Sequence, residues 1–173
     1  MSHPLADQLR FTRREFLRGV EQVSEEDAAR RFMPMNCISW NVGHLAAQEQ
    51  RYFLSFTQDL RPYPKIDESF SYGSPASTPS LRAMLEAWQA ITQAVDPWLD
   101  ELTSDRLLKP VVIKGKQTRY TVGSLMLRVI YHYWYHAGEN LAVRQMLGHT
   151  NLPEFVGDLD GEAPFRSEIG QGT

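Results

Sequence analysis

The feature that most constrains this chain is an apolar spacing typical of amphipathic helices, which recurs four times along 173 residues. The four stripes run from about Leu5 to Val23, from Ile38 to Phe56, from Leu81 to Leu99 and from Val122 to Leu147. Gly148 follows the last stripe, at a position where the left-handed backbone that ends a helix is easiest. At this length one domain is expected. The stripes therefore predict an all-α four-helix bundle spanning residues 1–173.

The segments between the stripes predict short elements and one long connection. Ser24, followed by three acidic residues, predicts a helix of one or two turns. Asn36 or Ser39 is the expected cap of the second long helix, and Thr78 before a proline is the expected start of the third. Residues 59–77 are rich in Pro, Ser, Gly and Tyr and predict a long surface loop, of a kind that is often functional.

Three further local patterns concern the second half of the chain. Pro97 predicts a kink or break near the end of the third long helix. The β-rich runs at 111–113 and 118–121 flank a glycine turn and predict a small hairpin before the last helix. The tail at 151–173 is expected to pack partly on the bundle and to fray at its end.

Composition argues against several classes of protein. The net charge of −3 offers no field that would gather nucleic acid, so no nucleic-acid partner is expected. No stretch approaches the roughly 18 to 20 apolar residues that cross a bilayer, and the twin-arginine-like segment at 12–18 lacks the apolar stretch of an export signal. Cys37 is the single cysteine, so no disulfide within the chain is expected. These features predict a soluble, cytoplasmic protein.

Three histidines inside predicted helices are the candidate metal ligands. His132 and His136 are four residues apart, which places their Cβ atoms about 5 to 6 Å apart on one helix face. His44 lies inside the second long helix, beside apolar residues that place it near the inward face. His3 lies near a chain end and His149 follows a helix stop. We therefore expect His44, His132 and His136 to converge in the bundle.

The alternative interpretation is that these are half-buried histidines bonded to carbonyl or carboxylate groups. It suits a single histidine better than three adjacent imidazoles, which need partners or costly neutralisation. Three neutral imidazoles without a thiolate suit zinc, nickel, iron or cobalt rather than magnesium or calcium. Such a set leaves a coordination position for water or substrate, which indicates reactivity. Cys37 lies about 10 Å along the helix from His44, too far to join them, and is expected to be a small core residue.

Other residues near the histidines have two interpretations each. Glu139 follows His136 by three residues and is a candidate fourth ligand, a group that orients an imidazole, or a proton acceptor. A salt bridge to Arg144 or to another basic residue is the equal alternative. The aromatic run at 131–135 indicates core packing or a pocket wall, and core packing is preferred. Arg128 and Arg144 could meet an anionic substrate, although most helices carry a charged face.

Two segments carry a resemblance to a known family. They are Trp40-Asn41-Val42-Gly43-His44-Leu45-Ala46 and His132-Tyr133-Trp134-Tyr135-His136-Ala137-Gly138-Glu139, followed by Arg144 and Leu147-Gly148. Their order and separation resemble the DinB/YfiT-like superfamily of metal-dependent proteins over nearly the whole chain. The resemblance implies an up-down-down-up four-helix bundle, a metal site formed by His44, His132 and His136, and a homodimer. It also implies, for some relatives, a low-molecular-weight thiol such as glutathione, mycothiol or bacillithiol.

The leading functional hypothesis is a metal-dependent enzyme of the S-transferase type. A divalent ion (zinc, nickel or iron) held by the three histidines would bind a small thiol and present it to an electrophile beneath the 59–77 connection, with Glu139 as the candidate catalytic residue. Metal-assisted hydrolysis is one alternative. A non-enzymatic bundle that binds a small ligand or a partner helix, for example in a stress response, is the other.

Overall fold

The computed structural model describes residues 2–154 and 156–167, which are mainly helical. The helices are α1 (Pro4–Val20), α2 (Glu25–Ala29), α3 (Ile38–Glu49), α4 (Phe56–Gln58), α5 (Pro64–Phe70), α6 (Leu81–Asp100), α7 (Ser104–Leu108), α8 (Val122–Met146) and α9 (Leu159–Glu162). Two strands, β1 (Pro110–Ile113) and β2 (Lys116–Thr121), lie between α7 and α8. The parts of the predicted tail at residues 155 and 168–173 lie outside the described residues.

The long last helix is confirmed, and both of its ends are capped as the sequence allows. The Thr121 hydroxyl accepts a hydrogen bond from the Ser124 amide at 3.2 Å, and the Ser124 hydroxyl accepts one from the Thr121 amide at 3.0 Å. This reciprocal pair satisfies amides that have no partner inside α8. At the other end Gly148 adopts a φ of +83°, the left-handed conformation that ends a helix at little cost for glycine.

The predicted cap of α2 is confirmed, whereas the predicted cap of α3 is wrong. Ser24 caps α2, because its hydroxyl accepts from the Asp27 amide at 3.0 Å. Neither Asn36 nor Ser39 caps α3; Cys37 occupies that position, and its side chain makes no capping hydrogen bond. Ser39 is fully buried, with its hydroxyl 3.3 Å from the Cys37 sulfur. Burial of this helix start among core side chains therefore replaces a solvent-facing cap. Cys37 is itself fully buried, as expected of a core residue.

Helix α3 continues into α4 through one π-helical turn at Gln50–Ser55. The helical segment ends at Asp59, which adopts a left-handed φ of +54°. A π-helical turn carries an extra residue relative to an α-helical turn, so it changes which side chains share a face, and such turns are frequent at functional sites. The sequence predicts the helix but gives no sign of this turn.

The prediction of an unstructured connection at 59–77 is wrong in its middle, where α5 forms. Pro64 stands in the first turn of α5, where a missing amide hydrogen costs nothing. Ile66 and Phe70, four residues apart, are buried on one face of the helix against α3. Two apolar residues in seven are too few to produce a recognisable period beside the flanking Pro, Ser and Gly residues.

Helix α6 begins later than predicted and is not broken at its proline. Ser80 rather than Thr78 is the cap, and its hydroxyl accepts from the Ala83 amide at 3.3 Å. The helix continues through Pro97 to Asp100. Trp98, immediately after the proline, is buried, so packing of this last turn compensates for the backbone hydrogen bond that proline removes.

The predicted hairpin is confirmed. Strands β1 and β2 pair antiparallel, with Pro110 opposite Thr121 and Ile113 opposite Lys116. The turn residues Lys114 and Gly115 both have positive φ, +50° and +74°, as a two-residue hairpin turn requires. Strand β2 leads directly into α8, so the hairpin fixes where the last helix starts.

Helix α3 is central to the bundle: it packs on α5, α6 and α8, and α1 packs on α8. Arg13, which interrupts the apolar stripe of α1, is buried and donates to both oxygens of Glu49, at 2.8 and 2.5 Å. Glu49 also accepts from the Tyr133 hydroxyl at 2.7 Å, and that hydroxyl accepts from Trp88 Nε1 at 2.6 Å. The charged residue that breaks the stripe is therefore paired inside the core.

The predicted fold class is confirmed, since the described residues form long packed helices with one two-stranded hairpin. Within residues 2–154 and 156–167, no helix combines the length and the apolar character that crossing a bilayer requires.

Candidate metal centre

Helices α3 and α8 bring His44, His132 and His136 into one cluster. Their ring nitrogens that could bind an ion lie within 4.8 Å of one another, and the Nε2 atoms of His132 and His136 are 3.0 Å apart. The ring of His44 stands nearly perpendicular to both, with centroids 5.0 Å from His132 and 5.3 Å from His136. Residues that are far apart in sequence, on two helices, therefore meet at one point.

A carboxylate fixes the orientation of the His136 ring. Glu139 Oε2 lies 2.7 Å from His136 Nδ1 and also accepts from Asn41 Nδ2 at 3.0 Å. Asn41 is held in turn by Asn140 Oδ1, at 2.8 Å. Because the carboxylate accepts the Nδ1 proton, the Nε2 lone pair of His136 points into the cluster. Glu139 therefore faces Nδ1, the nitrogen of the His136 ring that points away from the cluster.

The His44 ring is fixed in the same way by a backbone carbonyl. Its Nδ1 donates to the Phe70 carbonyl at 2.6 Å, and its ring stacks on Trp40 with centroids 4.9 Å apart. The adjacent Gly43 permits this approach, because a Cβ atom there would lie 3.0 Å from the Phe70 ring and 2.7 Å from the Met84 sulfur. Helix α5, which the sequence does not predict, thus supplies the acceptor that leaves His44 Nε2 free for a ligand.

His132 is the member of the cluster without a fixing partner. Its Nδ1 is buried and makes no hydrogen bond within the described part of the chain. Its Nε2 faces His136 Nε2, where two lone pairs at 3.0 Å require either a proton or a cation between them.

Electrostatics keep two of the three imidazoles neutral. Burial, assisted by the charges of His136 and His44, lowers the pKa of His132 to about 3. Burial also lowers the pKa of His44, and the neighbouring His136 acts in the same direction. A neutral imidazole retains the lone pair that a metal ion binds, so protons compete weakly for these two nitrogens at neutral pH.

The donor set fits a divalent transition metal. Two nitrogens that bind one ion at about 2.0 to 2.1 Å lie roughly 3 to 3.4 Å apart, and the His132 and His136 Nε2 atoms already lie 3.0 Å apart. The backing of His44 by a carbonyl and of His136 by a carboxylate is the arrangement that orients metal-binding imidazoles in proteins. The Nδ1 atom of His132 is buried without a partner, which is what we expect if the ring is held through Nε2 by a bound ion. The three-histidine site could therefore hold a metal ion.

Two cavities open onto the cluster. The larger has a volume of about 590 Å³, and the smaller, of about 480 Å³, also reaches His136 and Glu139. Both are bounded by His44 and His132. The larger cavity is further bounded by Gln48, Arg51, Tyr52, Arg128, Tyr131 and Tyr135. Groups bound in the two cavities would therefore meet at the histidines.

The structure separates the remaining candidates by position. Arg128 lines the larger cavity, whereas Arg144 is buried elsewhere and donates to the carbonyls of Gly19 and Asn151, at 3.0 and 2.9 Å. Because Arg144 is committed there, it forms no salt bridge with Glu139 in the described structure. Cys37 is buried outside the cluster.

The aromatic residues at 131–135 lie on different faces of α8. Tyr133 is fully buried, whereas Tyr131 and Tyr135 are 65% and 68% exposed and line the larger cavity. The preferred interpretation of this run as core packing is therefore wrong for the two exposed tyrosines. Sequence reasoning also missed Gln48 and Arg51 as cavity residues. Their spacing of four and seven residues from His44 is the signal that was available.

Fold and site together define a helical-bundle protein with a candidate three-histidine metal centre. The chain belongs to the DinB superfamily, whose family model matches residues 8–139 and so includes all three histidines and Glu139. No curated protein matches the chain.

The fold is also similar to that of a solved structure, described as the crystal structure of the conserved protein of locus from Enterococcus faecalis. The two chains are 13% identical and superpose with a TM-score of 0.56, over 84% of this chain and 96% of the other. At this identity the similarity concerns the fold alone.

Proposed function

We propose that this protein is a metal-dependent enzyme that transfers a small thiol to an electrophile, with His44, His132 and His136 as ligands of one divalent transition-metal ion such as zinc, nickel or iron. The observation that carries the proposal is the pair of cavities, 590 and 480 Å³, that share His44 and His132 as walls. A group transfer needs two substrates bound at once beside the reacting atoms, whereas hydrolysis needs one substrate and water. The paired cavities support the former.

A bound divalent ion would supply Lewis-acid chemistry, because it lowers the pKa of a thiol and so provides a nucleophile at neutral pH. The protein contributes orientation. The Phe70 carbonyl and the Glu139 carboxylate fix the rings of His44 and His136. Glu139 lines the smaller cavity as well, which supports a role for it as the acceptor of a proton from a bound group.

Elemental analysis of tag-free protein, purified without chelator, tests the metal site. We expect about one transition-metal ion per chain in the wild type and almost none in a His132→Ala/His136→Ala variant. His149→Ala is the matched control, because that histidine lies outside the cluster, beside Asp27 and Arg144. Absence of metal from the wild type after reloading, or retention of metal by the double variant, would contradict the site.

Turnover with a panel of thiols and electrophiles, such as epoxides and chlorinated aromatics, tests the reaction. We expect product formation that requires both the ion and the thiol. Turnover of ester or amide substrates without thiol would favour metal-assisted hydrolysis instead. A protein that binds metal and turns over neither class would favour the non-enzymatic binding bundle.

We also propose a homodimer, from the family resemblance, and a cytoplasmic location, from the sequence features described above. Light scattering of the metal-loaded protein checks the first, with a mass near twice 19.9 kDa expected. Fractionation of the source cells checks the second.

A further inference from the structure

The larger cavity beside the histidines carries positive charge that no carboxylate compensates. Arg51, in the π-helical turn, and Arg128, on α8, both line it, and no Asp or Glu does so within the described residues. Across residues 2–154 and 156–167, the side chain of Arg51 makes no hydrogen bond or ion pair, and Arg128 has no ion-pair partner. The guanidinium of Arg128 lies 5.5 Å from the centre of the Tyr120 ring, which leaves its N–H groups available.

Helix geometry explains why both arginines reach this cavity. Along α3 and the π-helical turn, Gln48 and Arg51 follow His44 by four and seven residues; along α8, Arg128 precedes His132 by four. Side chains at these spacings lie on one helix face. His44 and His132 therefore each have an arginine on the same face of their own helix. The two helices face each other across the cavity.

A second group in the cavity also lacks a partner. Gln48 Oε1 is buried and accepts no hydrogen bond within the described part of the chain. A buried carbonyl oxygen without a donor is unfavourable, so this atom marks a position for a ligand N–H or O–H group. The rings of Tyr52, Tyr131 and Tyr135 line the same cavity and offer flat apolar surface.

We infer that this cavity binds a small organic carboxylate that has a flat apolar body and one hydrogen-bond donor. The carboxylate lies between Arg51 and Arg128, the donor bonds to Gln48 Oε1, and the body packs on the tyrosines. Guanidinium groups suit this role because their paired N–H groups match the two oxygens of a carboxylate. The inference rests on the proposed function, since it assigns a substrate class to that same site.

Calorimetric titration of the full chain, stripped of metal with chelator, tests the anion site by itself. The probes are hippurate and its neutral amide, hippuramide, which share shape, ring and amide N–H but differ in charge. We expect hippurate to bind at least about tenfold more tightly than hippuramide, and the preference to disappear in an Arg51→Gln/Arg128→Gln variant. An Arg30→Gln/Arg82→Gln variant removes the same charge from exposed positions outside the cavity and should keep the preference.

Equal binding of the two probes to the wild type, or an unchanged preference in the Arg51→Gln/Arg128→Gln variant, would overturn the inference. Because no ion is present, failure of the metal proposal leaves this result unaffected. A preference that requires metal and survives both substitutions would also overturn it, since the ion itself would then hold the carboxylate.

Competition against hippurate in metal-loaded protein separates the two sources of the carboxylate. Displacement of hippurate by N-acetylcysteine, but not by N-acetylcysteine amide, supports an acidic thiol. Continued binding of hippurate in the presence of either thiol supports an acidic electrophile.

Discussion

Two polar clusters join the same pair of helices, and they differ in whether their hydrogen bonds are complete. In the first, Glu49 at the end of α3 meets Tyr133 of α8, together with Arg13 and Trp88, and no side-chain nitrogen or oxygen of these four residues is buried without a partner. In the second, around the three histidines, the buried Nδ1 of His132 and the nearby Oε1 of Gln48 have no partner in the described structure.

Consecutive residues of α8 belong to the two clusters, one of which supports stability and the other binding. Tyr133 points into the bundle and is fully buried, while His132, one residue earlier, faces the two cavities. A complete buried network fixes the packing of the helices around it, because each member is costly to leave unpaired. Unpartnered atoms beside a cavity are instead available to a ligand. The first cluster should therefore govern stability and the second should govern binding.

The largest expected effect is on the first cluster. Glu49→Gln removes the charge that faces the buried guanidinium of Arg13, which keeps only the half-exposed Asp96, 2.8 Å away. Breaking a buried pair costs about 3 to 5 kcal/mol of unfolding free energy, and the remaining partner places this variant at the lower end of that range. Urea denaturation of the metal-free protein measures this change. The metal content of the folded variant should equal that of the wild type. A loss of metal together with stability would break the proposed separation.

Tyr133→Phe should have the next largest effect. It removes the hydroxyl that bonds Glu49 and Trp88. Glu49 Oε1 still accepts from Arg13, but the buried Trp88 Nε1 loses its acceptor, which costs about 1 to 3 kcal/mol of unfolding free energy. Tyr135→Phe is the matched control, because that side chain is exposed, and its unfolding free energy should change by less than about 0.5 kcal/mol. Similar values for the two variants in the same urea series would contradict the comparison.

Glu139→Gln should weaken metal binding without removing a ligand. The carboxylate orients the His136 ring, and loss of such a partner lowers metal affinity about 10- to 100-fold, or about 1.4 to 2.7 kcal/mol. Competition with a chromogenic chelator measures the affinity. Glu86→Gln, at an exposed position outside the cluster, is the control. An unchanged affinity in Glu139→Gln would mean that the His136 ring is fixed by other contacts.

The smallest expected effect is the pH dependence of stability in the metal-free protein. Burial lowers the pKa of His132 to about 3 and also lowers that of His44, whereas both groups titrate near pH 6.5 in an unfolded chain. Below that pH the unfolded state binds protons that the folded state does not, so stability falls as the pH decreases from about 6.5 toward 3. Urea midpoints measured between pH 7.5 and 5 in chelator should decline less in His132→Asn than in the wild type. Parallel curves would show that His132 does not contribute.

Sequence patterns predicted the elements that are long or have strong local signals. The four long helices, the hairpin, the Ser24 cap and the Gly148 stop follow from periodicity and turn chemistry, which act over a few residues. Helix α5, the π-helical turn and the true caps of α3 and α6 were missed. For α5 and the start of α3, burial against distant residues overrides the local preference.

For the candidate site, the sequence by itself determined which residues could take part: three histidines within helices, two of them four apart, and an acidic residue three positions further on. Only the tertiary structure decided their arrangement. It placed His44 beside His132 and His136, turned Glu139 toward one imidazole rather than toward Arg144, and put Arg51 and Arg128 on one cavity. The physical reason is that helical spacing fixes which side chains share a face of one helix, whereas the packing of α3 against α8 fixes which faces meet.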